Sequence, residues 1–148
     1  KVVKALAPQS ILDYGCGRSD LVAHFWRDGE RRIERYDPAI PPIRRMPPNA
    51  FDLVFACDVM EHIPMAGVDR VLKEIRSKSE AAFFTISTKL ARAKLPDGRN
   101  SHVTLLRHSE WGRWIKEYFQ KVEVLQATSE HELVLLAGHR AIAQRRAA

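Results

Sequence analysis

Short apolar runs alternate along the chain with segments whose apolar residues recur at helical spacing. Ile11-Leu12-Asp13-Tyr14 is an apolar run closed by Gly15-Cys16-Gly17, which predicts a buried strand ending in a tight turn. Leu21, Val22, Phe25 and Trp26 then repeat at helical spacing and predict a helix that starts near Asp20. Residues 33–37 predict a second short strand, stopped by Pro38, and residues 38–50 hold five prolines and no period, which predicts a loop. Residues 51–57 are apolar enough for a strand buried on both faces. Val68, Val71, Leu72 and Ile75 form the stripe of an amphipathic helix. Residues 81–87 predict another buried strand, and residues 88–108 a long polar connection. Ser109 is placed to cap a helix carrying Trp111, Trp114, Ile115 and Tyr118, with both tryptophans expected in the core. Residues 122–127 and 133–137 predict a closing hairpin.

This order predicts an α/β fold in one domain over residues 1–148, a mostly parallel sheet ending in an antiparallel pair. Open sheets of that kind bind ligands beyond the carboxyl ends of their strands, at the switch point. No apolar run approaches the ~20 residues needed to cross a bilayer, and no secretory leader is evident; the expected setting is the cytoplasm, with no membrane partner. The chain begins at Lys1 rather than Met, with Val2, Val3 and Leu6 leading into the first strand, so a trimmed core is expected. Cys16 and Cys57 fit neither a disulfide framework nor a zinc spacing and are expected as free thiols.

The net charge of +6 is spread over scattered Arg and Lys residues without interleaved aromatics, which disfavours a nucleic-acid partner. A basic run from His139-Arg140 to Arg145-Arg146 is the one feature that supports such a partner. Against this background five acids, Asp13, Asp20, Asp37, Asp58 and Glu61, fall at or just past the ends of the first three strands. They suggest a ligand with positive charge, or with hydroxyls to be clasped. Gly15 and Gly17 permit positive φ and close approach of a ligand to the backbone. Asp37 follows at the spacing where a carboxylate takes the ribose hydroxyls of a nucleotide. A dinucleotide fits only in part, because Asp20 replaces the third glycine of that pattern and Asp13 flanks the turn, both repelling a pyrophosphate. No metal-ligand spacing stands out, and no metal is expected.

Ile11-Leu12-Asp13-Tyr14-Gly15-Cys16-Gly17 resembles the first motif of the class I S-adenosylmethionine-dependent methyltransferases. Asp37-Pro38-Ala39 resembles their acidic second motif, and residues 51–64, with Asp58-Val59-Met60-Glu61-His62, resemble the strand-four motif of a branch that reads D-V-L-E-H. The resemblance covers nearly the whole chain. It implies a Rossmann-like methyltransferase sandwich with S-adenosyl-L-methionine as cofactor. Carried over position by position, Asp13, Tyr14, Gly15, Cys16 and Gly17 border the methionine part, with Asp13 reaching the ammonium through water. Asp37 and Pro38 hold the ribose, and Asp58 and Val59 lie near the reacting methyl group. Ser19 stands where relatives often have a third glycine. Between Asp37 and Phe51 the family usually fits a helix and a further strand. The proline-rich loop implies a sheet without that strand and leaves the adenine contact unassigned.

The implied reaction is in-line displacement of the methyl group from sulfur, to which the protein contributes alignment and exclusion of water. His62 and His102 are the candidate general bases, and Glu61, Arg99 and Asn100 the candidate acceptor-binding residues. Gly98-Arg99-Asn100-Ser101-His102 resembles a segment of some bacterial and phage-related relatives, in a connection expected to close over the cleft. The Asn/Asp-Pro-Pro-aromatic tetrapeptide of enzymes that methylate amino groups is absent, and so is a Pro-Cys nucleophile. The favoured acceptor is a polar or anionic small molecule. The alternatives are a nucleic-acid or protein methyltransferase and a non-catalytic S-adenosylmethionine-binding module.

Overall fold

The computed structural model describes residues 6–26, 31–127 and 129–138. Six strands, β1 (Ser10–Tyr14), β2 (Arg32–Tyr36), β3 (Leu53–Cys57), β4 (Ala82–Ser87), β5 (Val122–Leu125) and β6 (Glu132–Ala137), form one sheet in the order β2-β1-β3-β4-β6-β5. β1 pairs in parallel with β2 and β3, and β3 with β4; β6 runs antiparallel to β4 and β5. The helices are α1 (Leu21–Phe25), α2 (Val68–Lys78) and α3 (His108–Lys116). The chain reverses its winding between β1 and β3, so the switch point lies where the glycine turn and Asp58 emerge.

The inner strands β1, β3, β4 and β6 read as largely apolar because the sheet is covered on both faces there. Leu12, Val54, Ala56, Phe84 and Ile86 pack against Val71, Leu72 and Ile75 of α2 and Trp111 and Ile115 of α3. On the opposite face Ile11, Leu53 and Phe55 pack against Val22 and Trp26. At roughly 1.5–3 kcal/mol per buried side chain of this size, alternate positions of each strand hold the two layers together.

The loop expected over residues 38–50 contains one turn of 3-10 helix, Pro41–Ile43, and no strand. Its proline-rich course leaves β2 at the sheet edge, as the sequence implied. The start of α3 differs from expectation. The N-cap is Arg107, whose N–H donates to Glu110 Oε2 at 2.8 Å, and Ser109 lies inside the first turn. A glutamate three residues on can reach back to the cap amide, so the end is held without a cap from Ser109. Trp111 is fully buried, as expected; Trp114 is half-buried and donates from Nε1 to Asp69 Oδ1 at 2.7 Å, tying α3 to α2. No helix among the described residues is long and apolar enough to cross a membrane. Cys16 and Cys57 are free thiols, and the basic run after Gly138 lies outside the described residues.

Candidate functional site

The parallel register sets Tyr14 beside Tyr36, so the glycine turn leaves β1 alongside the end of β2. The Gly15 N–H donates to the Tyr36 carbonyl at 2.7 Å. Gly15 has φ +67°, and a Cβ there would lie 2.7 and 2.9 Å from the two methyls of Val59, so conformation and space both demand glycine. The Gly17 N–H donates to Asp37 Oδ2 at 2.8 Å, and Asp37 Oδ1 accepts the Ala39 N–H at 2.8 Å. One carboxylate therefore staples the glycine turn to the loop after β2. A carboxylate offers about four acceptor directions, so ribose hydroxyls can still be received.

Asp13 is buried beneath this turn, and burial pushes its carboxyl up to about 6 against the opposing pull of Arg35. Arg35 sits across from Asp13 in the register and donates from Nη2 to the Gly17 carbonyl at 3.1 Å, while its buried Nε has no partner. Sequence reasoning missed Arg35. The available signal was a cation in mid-strand, one strand over from a buried acid.

Asp58 follows β3 with φ +54°, a left-handed conformation that aspartate tolerates better than most residues. Its N–H donates to the Thr85 carbonyl at 2.9 Å, and the Thr85 hydroxyl donates to Asp58 Oδ1 at 2.9 Å. Thr85 is the second residue that the sequence did not disclose. Asp58 borders three clefts. One, of about 540 Å³, runs past Asp13, Gly15 and Cys16 under α1. Another, of about 480 Å³, runs past Asp37, Pro38 and Val59 towards Glu74, which accepts the Tyr14 hydroxyl at 2.6 Å. The last, of about 350 Å³, runs past Glu61, Lys89 and His102.

At that third cleft the turn after Asp58 meets the long connection. Glu61 is fully buried; its Oε1 accepts the Ser87 N–H at 2.8 Å, its Oε2 has no partner, and burial raises its carboxyl above the usual range. His62 Nδ1 lies 2.9 Å from the Ser101 carbonyl, and His102 Nδ1 lies 2.6 Å from the Lys89 carbonyl. A carbonyl only accepts, so each ring donates from Nδ1, and in the neutral tautomer that this selects, Nε2 is the nitrogen left to take a ligand. The two rings meet edge to face at 4.8 Å.

Ligand-capable atoms of Glu61, His62 and His102 all lie within 4.8 Å of one another. One carboxylate, two imidazoles with their tautomers set by backbone carbonyls, and an orphaned buried oxygen make a donor set suited to a divalent cation. The ligands of a filled site stand about 3–3.5 Å apart, so a cation would draw these side chains inward. No metal-ligand spacing marks this group in the sequence: Glu61 and His62 are neighbours, but His102 arrives forty residues later, beyond any spacing rule.

The connection is tied to the sheet end and to itself at several points. Thr104 is buried, with its N–H on the Glu61 carbonyl at 3.1 Å and its hydroxyl on the Ile63 carbonyl at 2.7 Å. Arg99, expected to grip the acceptor, is exposed and ion-paired with Asp97 at 2.6 Å. Asn100, expected in the same role, spends its carboxamide on backbone groups of residues 91 and 102.

No protein-family model matches the chain, and no curated protein does. Solved structures do. The methyltransferase domain of bacterial CtHen1-C is 14% identical, with 92% of each chain covered and a TM-score of 0.71. A DhpI–SAH complex is 15% identical, covering 92% of this chain and 80% of that one, with a TM-score of 0.58. An O-methyltransferase family protein from Burkholderia thailandensis is 11% identical, covering 92% and 54%, with a TM-score of 0.65. At these identities what is shared is the architecture: the chain has the Rossmann-like fold of the S-adenosylmethionine-dependent methyltransferases.

Proposed function

We propose that the chain transfers the methyl group of S-adenosyl-L-methionine to a hydroxyl of a polar small-molecule acceptor, with a divalent cation held by Glu61, His62 and His102. The observation that carries this reading is the place of Asp58, which joins the glycine-turn clefts to the Glu61–His62–His102 group. The first two clefts suit an extended cofactor: Asp37 for the ribose, Gly15 and Gly17 for close approach, and Asp13 for the ammonium. The bound SAH of the DhpI neighbour supports the same cofactor. The third cleft suits the acceptor, and a cation there would lower the pKa of an acceptor hydroxyl. The chain's own residues align sulfur, methyl carbon and acceptor oxygen, which is where most of the rate gain in such a displacement arises.

The test is a thermal melt and calorimetric titration with S-adenosylmethionine and SAH, followed by SAH release with a panel of hydroxylated acceptors in Mg²⁺ or Mn²⁺. Micromolar cofactor binding and turnover that EDTA abolishes are expected. Binding of NAD in place of S-adenosylmethionine removes the cofactor reading, and turnover indifferent to EDTA removes the cation. A nucleic-acid acceptor is the second reading. It is favoured by the exposed cations Lys89, Arg92, Lys94, Arg99 and Arg107 on the connection beside the third cleft. Phosphate contacts would make RNA or DNA binding fall steeply with salt; a flat salt response dismisses it.

A further inference from the structure

We infer that Asn100 is a positioning residue that builds the cation site by presenting His102 to Glu61 and His62. The function of this role rests on the cation reading above; its geometry does not. Residues 91–102 form a tight hairpin-like excursion. Lys94 and Asn100 make an isolated antiparallel bridge, the Leu95 N–H donates to the Arg99 carbonyl at 2.8 Å, and the Ser101 N–H donates to the Ala93 carbonyl at 3.2 Å. The base of the excursion is closed by the Asn100 side chain. Its Nδ2 donates to the Ala91 carbonyl at 2.9 Å, and its Oδ1 accepts the N–H groups of Ala91 at 3.0 Å and of His102 at 2.9 Å.

One carboxamide thus replaces a missing rung of backbone pairing and sets the direction in which residue 102 leaves the turn. Only asparagine supplies a donor and a two-fold acceptor at this reach; aspartate lacks the donor, and serine is too short. The consequence extends to both imidazoles. The backbone so fixed carries the Ser101 carbonyl, which takes the His62 Nδ1 proton, and the His102 ring, whose Nδ1 proton goes to the Lys89 carbonyl. Outer partners of this kind decide which nitrogen of a ligating histidine is left bare and where it points. Arg99, one residue earlier, is exposed and paired with Asp97, so it is the matched control.

The experiment is run on the whole chain with Co²⁺ as the metal. Its binding is followed by visible absorption and calorimetry, and the ring-nitrogen chemical shifts of His102 report the tautomer. Asn100→Ala is expected to weaken Co²⁺ at least tenfold and to collapse the well-separated ring-nitrogen shifts towards an average, with SAH affinity held within twofold. Asn100→Asp keeps two of the three contacts and should fall between; it carries the comparison should the alanine variant not fold. Arg99→Ala should match the wild type in Co²⁺ affinity and in the His102 tautomer. Retention of both the His102 tautomer and the Co²⁺ affinity in the Asn100 variants overturns the role. If the wild type takes up no Co²⁺ yet Asn100→Ala still loses the tautomer, the cation reading fails and the positioning role stands.

Discussion

Replacing Asp13 with asparagine should move stability and cofactor affinity in opposite directions. The Asp13 carboxyl is 5% exposed and pushed up to about 6, while an unfolded carboxyl titrates near 3.8. Between those values the folded chain holds a proton that the unfolded chain releases. The resulting stability is complete below pH 3.8 and is lost as pH rises through 6, where folding must retain a buried charge. The interval is worth about 3 kcal/mol at 1.36 kcal/mol per pH unit. Asp13→Asn keeps the shape and removes the charge. With ~2–4 °C per kcal/mol for a chain of this size, the ligand-free variant should melt roughly 6–12 °C higher at pH 7.5. Near pH 4 the advantage should shrink below about 1 kcal/mol. Cofactor affinity should behave differently, because a ligand ammonium favours ionised Asp13. Wild-type affinity for SAH is expected to fall about tenfold per pH unit below 6, while the variant binds weakly with a flat profile. Melting curves and calorimetry between pH 4 and 8 measure both. A variant that melts below the wild type at pH 7.5, or that shows the wild-type affinity profile, refutes the argument.

Asp37→Ala removes two backbone contacts as well as the proposed ribose acceptor, and should weaken SAH binding by about 1.5–3 kcal/mol; unchanged affinity would reassign the ribose site. Gly15→Ala forces a Cβ into Val59 at positive φ and should cost about 2–4 kcal/mol. A denaturant midpoint equal to the wild type would show that the turn can relax. Glu61→Gln keeps an acceptor for the Ser87 amide but loses the anionic ligand. It should lower metal-dependent turnover at least tenfold, more than ~1.4 kcal/mol, with SAH affinity within twofold, and full activity in Mg²⁺ would take Glu61 out of the site.

The sheet and its helices were legible because their residues obey short periods. Strand ends moved by a residue or two, as with residues 33–37 against Arg32–Tyr36, because backbone pairing rather than hydropathy decides where a ladder stops. The glycine turn was legible because Gly15, Gly17 and Asp37 lie at two adjacent strand ends. Arg35 and Thr85 were not, because their roles depend on which residue faces them across the sheet. His102 was singled out as a base, yet its partnership with Glu61 is a property of the folded connection. Asn100 and Arg99 were read as acceptor ligands from their chemistry alone. In the folded chain Asn100 hydrogen-bonds backbone groups of Ala91 and Arg99 pairs with Asp97, contacts that their chemistry alone does not disclose.

Ending the sheet at β2 has a cost of another kind. Among the described residues β2 ends the sheet, so one side of its backbone offers unpaired amides and carbonyls to any extended chain that passes. Edges of that sort seed fibrils and sheet-to-sheet association unless they are made unattractive. β2 is Arg-Ile-Glu-Arg-Tyr, with Arg32 and Glu34 paired at 2.8 Å and Arg32 laid over the Phe51 ring. A strand docking there would have to desolvate those charges and then align with a neighbour that stops at Pro38. The sheet edge is therefore guarded against self-templating by the same strand that carries Arg35 to the glycine turn.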